Sequence, residues 1–359
     1  MSGCGCSFSA AEDIKEDVKY TDELADQFAK EVGVDPRPNE TLVEIDERGA
    51  FIRQPNAFIQ PFGDEEGDLK AEAGRYGIYW ATGCNWSNRP VIVRDLLGLQ
   101  DVISDTRVTH SGETNKYGHA FGDQPGFKDP KTGAYFLSEF YKRANPDFKG
   151  RATTPTLVDI KEKKAVNNDY HRLTNYIEVQ FRPFQPKDAP DLYPKKFRKE
   201  IDEFNDWLFP HVNNGHYRMA FCQSPEAYDE AYEDFYESLE KLDKRLETNR
   251  FLFGDYITDS DVRAYVTLVR WDVSYYHNIG PVKKPIRDYK NIWGYLRELY
   301  QIPAFRHGSD PQVLALEGPK KKLGEVLFRG YNERILAKVD FEKLWADDGE
   351  RRKLSKTPD

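Results

Sequence analysis

The sequence predicts two domains of different class, a mixed α/β unit followed by an all-helical one. Short aromatic and β-branched runs at 76–80, 156–160 and 164–166 alternate with segments of helical apolar spacing between residues 71 and 180. Four prolines (Pro183, Pro186, Pro190 and Pro194) then punctuate 181–194, which reads as a linker. Beyond it, from about residue 195, apolar residues recur every three or four positions and the chain reads as almost entirely helical. The helical domain is placed at 195–325, and the stretch from 310 on is charged. A chain of 359 residues has room for both domains and for extensions at each end.

In chain order, residues 1–70 are acidic and polar, with one predicted helix over 11–32, and read as an N-terminal extension. The run Tyr76-Gly77-Ile78-Tyr79-Trp80 predicts a strand, Gly83 a break, and 87–97 a helix. Strands are expected at 101–104 and 108–109, then a long loop over 110–135 and a helix over 138–144. The runs 156–160 and 164–166, joined by Lys161-Glu162-Lys163, predict a hairpin, and 170–179 predicts a helix. That order, β-α-β then α-β-β-α, is the order of a thioredoxin-like domain over 71–180. In the helical domain, 195–325, Tyr228, Tyr232, Phe235, Leu239, Leu242 and Leu246 form one apolar stripe. Thr258-Asp259-Ser260-Asp261 predicts a capping box opening a buried helix. Residues 326–359 are a charged C-terminal extension with an apolar face only over 326–335.

Composition narrows the function classes. A net charge of −9 argues against a nucleic-acid partner. No apolar run approaches the roughly 18 residues of a spanning helix, and the start lacks a secretion-type apolar core, so no membrane partner and a cytoplasmic setting are expected. The four cysteines, Cys4, Cys6, Cys84 and Cys222, are too few for a disulfide scaffold, and no metal-ligand spacing is present.

Cys84 falls at the strand–helix turn, where a helix N-terminus favours a thiolate, with Arg89 one turn further on as added positive charge. The bland alternative is a small buried hydrophobe. Ser87 stands three residues later, so an oxidised Cys84 would need an external thiol to release it. Thr154-Pro155 precedes a strand in the position of a loop facing that cysteine, or is an ordinary strand-edge proline. Asn167-Asn168-Asp169-Tyr170 is able to hold a ligand's charged ends or simply to cap a helix. Tyr217, in the loop Asn213-Asn214-Gly215-His216-Tyr217, is a candidate proton donor or a packing tyrosine.

Taken together and in order, these motifs resemble the glutathione transferase fold, and within it the glutathionyl-hydroquinone reductases, the xi class, over roughly residues 70–305. The carriers are Cys84-Asn85-Trp86-Ser87-Asn88-Arg89, Thr154-Pro155-Thr156-Leu157, Asn167-Asn168-Asp169, the Asn213–Tyr217 run, Thr258–Arg263, Leu268–Asp272 and Leu296–Gln301. The resemblance implies a homodimer that uses glutathione on aromatic quinol conjugates. Cys84 would be the nucleophile and Tyr217 the acid, with Trp86, Arg89, Thr154, Pro155, Asn168, Asp169 and Tyr170 holding glutathione. The chain departs from the pattern at Asn85, where the family carries proline, and at Tyr170, where it carries serine. The family's tryptophan over glutathione is missing, with His119 or Phe121 in that loop, its His-Phe-Lys-Cys-Asn segment is reduced to His277-Asn278-Ile279-Gly280, and Tyr331 is the candidate for its C-terminal tyrosine. These departures leave two alternatives open: another low-molecular-weight thiol in place of glutathione, or a non-catalytic binding relative.

Overall fold

The computed structural model describes residues 19–37, 42–276, 283–309, 314, 340–347 and 350–356. Cys4, Cys6, Tyr331, the 277–280 run and the 326–335 stretch lie outside them.

A short helix, α1 (Asp22–Glu31), is capped by the Thr21 hydroxyl. Of the helix predicted over 11–32, residues 11–18 lie outside the described residues, and 19–21 precede the helix as extended chain. The thioredoxin-like domain follows: β1 (Tyr76–Trp80), α2 (Asn85–Leu96), β2 (Ile103–Arg107), β3 (Thr109–His110), β4 (His119–Ala120), α3 (Leu137–Ala144), β5 (Thr156–Asp159), β6 (Lys164–Asn167) and α4 (Leu173–Gln180). The main sheet runs β2-β1-β5-β6, with β1 parallel to β2 and antiparallel to β5. Every residue of β1 is buried, as expected for a central strand covered on both faces. Several boundaries move by one to three residues, among them the starts of β2 and α4. The second strand starts at Ile103 because the Val102 N–H turns back to Leu99, and α4 starts at Leu173 because the N–H groups of Arg172 and Leu173 both close on the Asp169 carbonyl. The expected 110–135 loop carries the two-residue β3–β4 ladder.

The helical domain contains α5 (Arg198–Leu208), α6 (Gly215–Phe221), α7 (Pro225–Arg245), α8 (Asp259–Leu268) and α9 (Lys290–Tyr300). The Thr258 capping box forms as predicted, and Asp261 also accepts from the Leu252 N–H and the Tyr295 hydroxyl. The 213–217 run is not a loop. It leaves a π-helical turn (Phe209–Asn213) and enters α6. Gly215 is required there, since a Cβ would stand 2.6 Å from the Phe235 ring.

One apolar core runs through both domains, joining Ile78, Val91 and Ile177 to Phe235, Tyr265 and Trp271. Polar groups fix how the domains meet. Asp259 is fully buried and receives Thr174, Asn175, Asn205 and Arg263, while Arg263 also donates to the His171 carbonyl. Further along, Arg270 donates to the carbonyls of Thr82 and Gly308, at 3.0 Å each. Removing one partner of a buried pair strands the other charge, at a cost of about 3–5 kcal/mol. Chemical denaturation of Arg263→Ala is therefore expected to show a loss of that size. Lys199→Ala, which removes an exposed pair with Glu203, is expected to stay within about 0.5 kcal/mol of the parent.

Candidate active site

Cys84 is the N-cap residue of α2, and its carbonyl accepts the N–H groups of Ser87 and Asn88, both at 3.2 Å. No side chain caps this helix and its first turn carries no acid, so its N-terminal partial positive charge stays open to an anion at Cys84. The turn is held from both sides. Arg270 grips the Thr82 carbonyl, and the fully buried Ser87 accepts the Ala81 N–H at 3.1 Å while its own hydroxyl lies 3.1 Å from the Ala81 carbonyl and 3.0 Å from that of Cys84. Ser87 thus serves the geometry of the turn. The Cys84 sulfur donates to the Thr154 carbonyl at 3.3 Å, and the Thr154–Pro155 peptide is cis.

Tyr217 reaches the same place from α6. Its hydroxyl donates to Asn85 Oδ1 at 3.1 Å, and burial together with the nearby Cys84 pushes its phenol up. Around its ring stand Trp86 (centroids 6.0 Å apart), His216 (3.7 Å), Tyr275 (6.2 Å) and the Arg53 guanidinium (4.5 Å). The Tyr275 hydroxyl is hydrogen-bonded to Tyr217, while Trp86 Nε1, His216 Nδ1 and Arg53 Nη2 have no hydrogen-bond partner. Three unpartnered polar atoms around one ring give a polar ligand groups to bind there. Tyr170 packs on Trp86 and Phe209, at 5.2 and 5.8 Å between centroids.

The remaining predicted residues stand further back. Arg89 is 3% exposed, and its charge interacts with Asp259, Glu178, Asp169 and Arg263; burial draws it down to about 9. Asn168 is 2% exposed and clasps the backbone of Phe58, its Oδ1 accepting the Phe58 N–H at 2.9 Å. Asp169 accepts from Asn56 Nδ2 at 3.2 Å. Phe121 is core, packed on Tyr79 and Phe140, and His119 pairs with His110 across β3–β4, so neither reaches the Cys84 site in the manner of a cover.

Sequence reasoning missed three members. Arg53 belongs to a segment without periodicity, residues 42–62, which crosses the site as a strap. Its Nε donates to Asn214 at 2.7 Å, and the same strap is tied to Arg151, Asn168, Gln223 and Ser224. No local signal marks it. Tyr275 follows the Leu268–Asp272 motif in a π-helical turn, where its role as a site wall depends on tertiary position. Asn85 is a sequence anomaly whose contacts are legible only in three dimensions.

Residues 225–298 match the family model for the glutathione S-transferase C-terminal domain. The chain is 38% identical over 264 residues to glutathionyl-hydroquinone reductase YqjG of Escherichia coli, covering 71% of this chain and 80% of that protein. Among solved structures it is similar to the Xi glutathione S-transferase of Phanerochaete chrysosporium, with TM-score 0.70, 33% identity, and coverage of 76% of this chain and 88% of that one. It is likewise similar to the glutathione-bound structure of E. coli YqjG, with TM-score 0.65, 32% identity and coverage of 77% and 89%.

His216 supplies a pH test of this architecture. It is 4% exposed, and burial holds it well below the ordinary histidine value of 6.5. The unfolded chain therefore binds this proton near pH 6.5 while the folded protein refuses it, so stability falls as pH drops below that value. Relative to the parent, His216→Gln is expected to show a shallower fall of melting temperature between pH 6.5 and 4.5. An identical slope in both proteins would remove His216 from the account.

Proposed function

The chain belongs to the xi class of glutathione transferases, the glutathionyl-hydroquinone reductase family, and from that premise we propose that it reduces glutathione thioethers of aromatic quinols through Cys84. It is an enzyme of the glutathione transferase superfamily with glutathione as co-substrate. The observation that carries the reading is the placement of the Cys84 sulfur at the open N-terminus of α2, beside the Thr154 carbonyl and within electrostatic reach of Tyr217.

In this reading the Cys84 thiolate attacks the sulfur of the conjugate. The sulfur–sulfur bond forms as the bond from sulfur to the ring carbon breaks, and that carbon takes the proton of Tyr217. The free hydroquinone leaves, and Cys84 remains joined to glutathione. A second glutathione thiolate then attacks the mixed disulfide, giving oxidised glutathione and returning the Cys84 thiolate. The proton lost by the second glutathione restores Tyr217. No second cysteine stands in the turn to compete, because Ser87 occupies that position and its hydroxyl is engaged with the backbone.

The backbone of Thr154, set by Pro155, faces the cysteinyl part of glutathione in strand fashion, and Trp86 offers its unpartnered indole N–H. Asp169 takes the ammonium end when Asn56 yields it. Arg89, Asn168 and Tyr170 support this surface from behind: Arg89 sets the charge beneath Asp169, Asn168 anchors the strap and Tyr170 braces Trp86. The working form is a homodimer in the cytoplasm. Among the described residues, no helix is long and apolar enough to cross a membrane.

Two variants test the reading. Cys84→Ser is expected to abolish reduction of a glutathionyl-hydroquinone, and full retained activity would end the proposal. Tyr217→Phe is expected to lower kcat by about 10²-fold or more, and without free glutathione intact-protein mass spectrometry is expected to find the glutathionyl group on Cys84 forming correspondingly slowly. If the phenylalanine variant turns over at the parent rate, Tyr217 is not the acid.

A further inference from the structure

Arg53 brings a positive charge into the site, and among the described residues no acid pairs with it. Its Nε donates to Oδ1 of Asn214, a neutral amide, at 2.7 Å, and its buried Nη2 has no hydrogen-bond partner. Glu44, the strap acid that feels this charge, is itself bound to Arg151. What the guanidinium does face is aromatic. Its Cζ stands 4.5 Å from the centroid of the Tyr217 ring, 4.7 Å from that of Trp86 and 5.4 Å from that of Phe51. The strap is fastened on both sides of this contact, by the Ser224 hydroxyl donating to the Arg48 carbonyl and by Gln54 donating to that of Arg151. The cation is therefore held against the ring by the chain and not by its own side chain alone.

An enclosed cation without a counter-ion is unfavourable at rest, and the reaction assigned to this site creates a counter-ion. When the Tyr217 O–H bond breaks and its proton passes to the ring carbon of the substrate, the electron pair stays on the phenolate oxygen and spreads partly over the ring. A guanidinium over that face is attracted to the neutral ring and more strongly to the charged one. The other groups facing Tyr217 do not supply this charge. Asn85 is neutral, Tyr275 is hydrogen-bonded to the phenol, and burial holds His216 well below the ordinary histidine value. Arg270 acts on the phenol too, but its guanidinium is engaged by the carbonyls of Val266, Thr82 and Gly308. Burial and Cys84 push the phenol up, and Arg53 leads the groups that draw it down. We propose that Arg53 is a positioning residue of the reaction, holding a positive charge against the Tyr217 ring that stabilises the phenolate formed as the proton leaves. The inference rests on the acid role given to Tyr217 above and deepens it. The proton returns with the second glutathione, and Arg53 neither gains nor loses one.

The test separates the two halves of the cycle in full-length protein. The first is single-turnover release of hydroquinone from S-(2,5-dihydroxyphenyl)glutathione, and the second is attack of glutathione on protein isolated as the Cys84 mixed disulfide. Arg53→Met, which keeps an unbranched stem and removes the charge, is expected to slow the first about tenfold and to leave the second unchanged. Arg53→Lys is expected to keep most of the first rate. Introducing 3-fluorotyrosine at position 217, a more acidic phenol, is expected to recover part of what Arg53→Met loses. A merely structural role would slow both halves together, and the fluorinated phenol would recover nothing. The inference is overturned if Arg53→Met releases hydroquinone at the parent rate, or if it slows both halves alike. Should Arg53→Met fail to fold, Arg53→Gln is read by the same two rates. Failure of the underlying reading looks different: a Tyr217→Phe variant releasing hydroquinone at the parent rate removes the acid itself. A slow Tyr217→Phe beside an unaffected Arg53→Met removes only the role of Arg53.

Discussion

The site depends on a seam between two domains, and a single polar stripe on one helix determines how that seam closes. Asp259, Arg263 and Thr267 on α8, and Arg270 just beyond it, are spaced by four, four and three residues and so share a face. Each reaches into the seam: Asp259 to Thr174 and Asn175, Arg263 to the His171 carbonyl, Thr267 to Asn85, and Arg270 to the Thr82 carbonyl. Apolar contact alone tolerates small slips between packed surfaces. Buried charges and amides do not, because a slip leaves them unpaired in a medium that penalises it. The stripe places the first turn of α2, and with it Cys84, to within the reach of a hydrogen bond.

Around that turn the chemistry is layered by distance from the sulfur. Thr154 and the helix terminus face it directly, Tyr217 and Tyr275 feel its charge, and Trp86, His216 and Arg53 enclose the Tyr217 ring. Behind them Arg89 lies among Asp259, Glu178 and Arg263, where burial beside Asp259 pushes the Glu178 carboxyl up. The positive charge expected beside the thiol is thus used one layer deeper, in the foundation of the seam.

The elements with strong local signals were legible in the sequence. The aromatic strand of Tyr76–Trp80, the Lys161–Lys163 hairpin and the Thr258 capping box each specify their conformation through neighbours close in the chain, and each forms as read. Cys84 and Thr154 stand on the turns the sequence indicates, Tyr217 stands on α6 and not on a loop, and the fold brings the three together. What sequence could not display is direction across the seam. That Asn168 would hold a strap, that Arg89 would face inward and that Asn85 would bind Tyr217 are facts about partners 110 residues or more away, or about groups met only after two domains dock. Arg53 was invisible for the same reason, since its segment has no periodicity to announce a structure and acquires one only from the surfaces it crosses.

The strap also sets the order in which this enzyme becomes complete. Glu44 pairs with Arg151, 107 residues later, and Phe58 with Asn168, 110 later. Arg53 waits 161 residues for Asn214, and Arg48 waits 176 for Ser224. The thioredoxin-like sheet can form while the helical domain is still being made, but the Arg53 wall of the site cannot. The cysteine turn can therefore be built before its surroundings are, and its enclosure waits for the helices that carry Asn214 and Ser224.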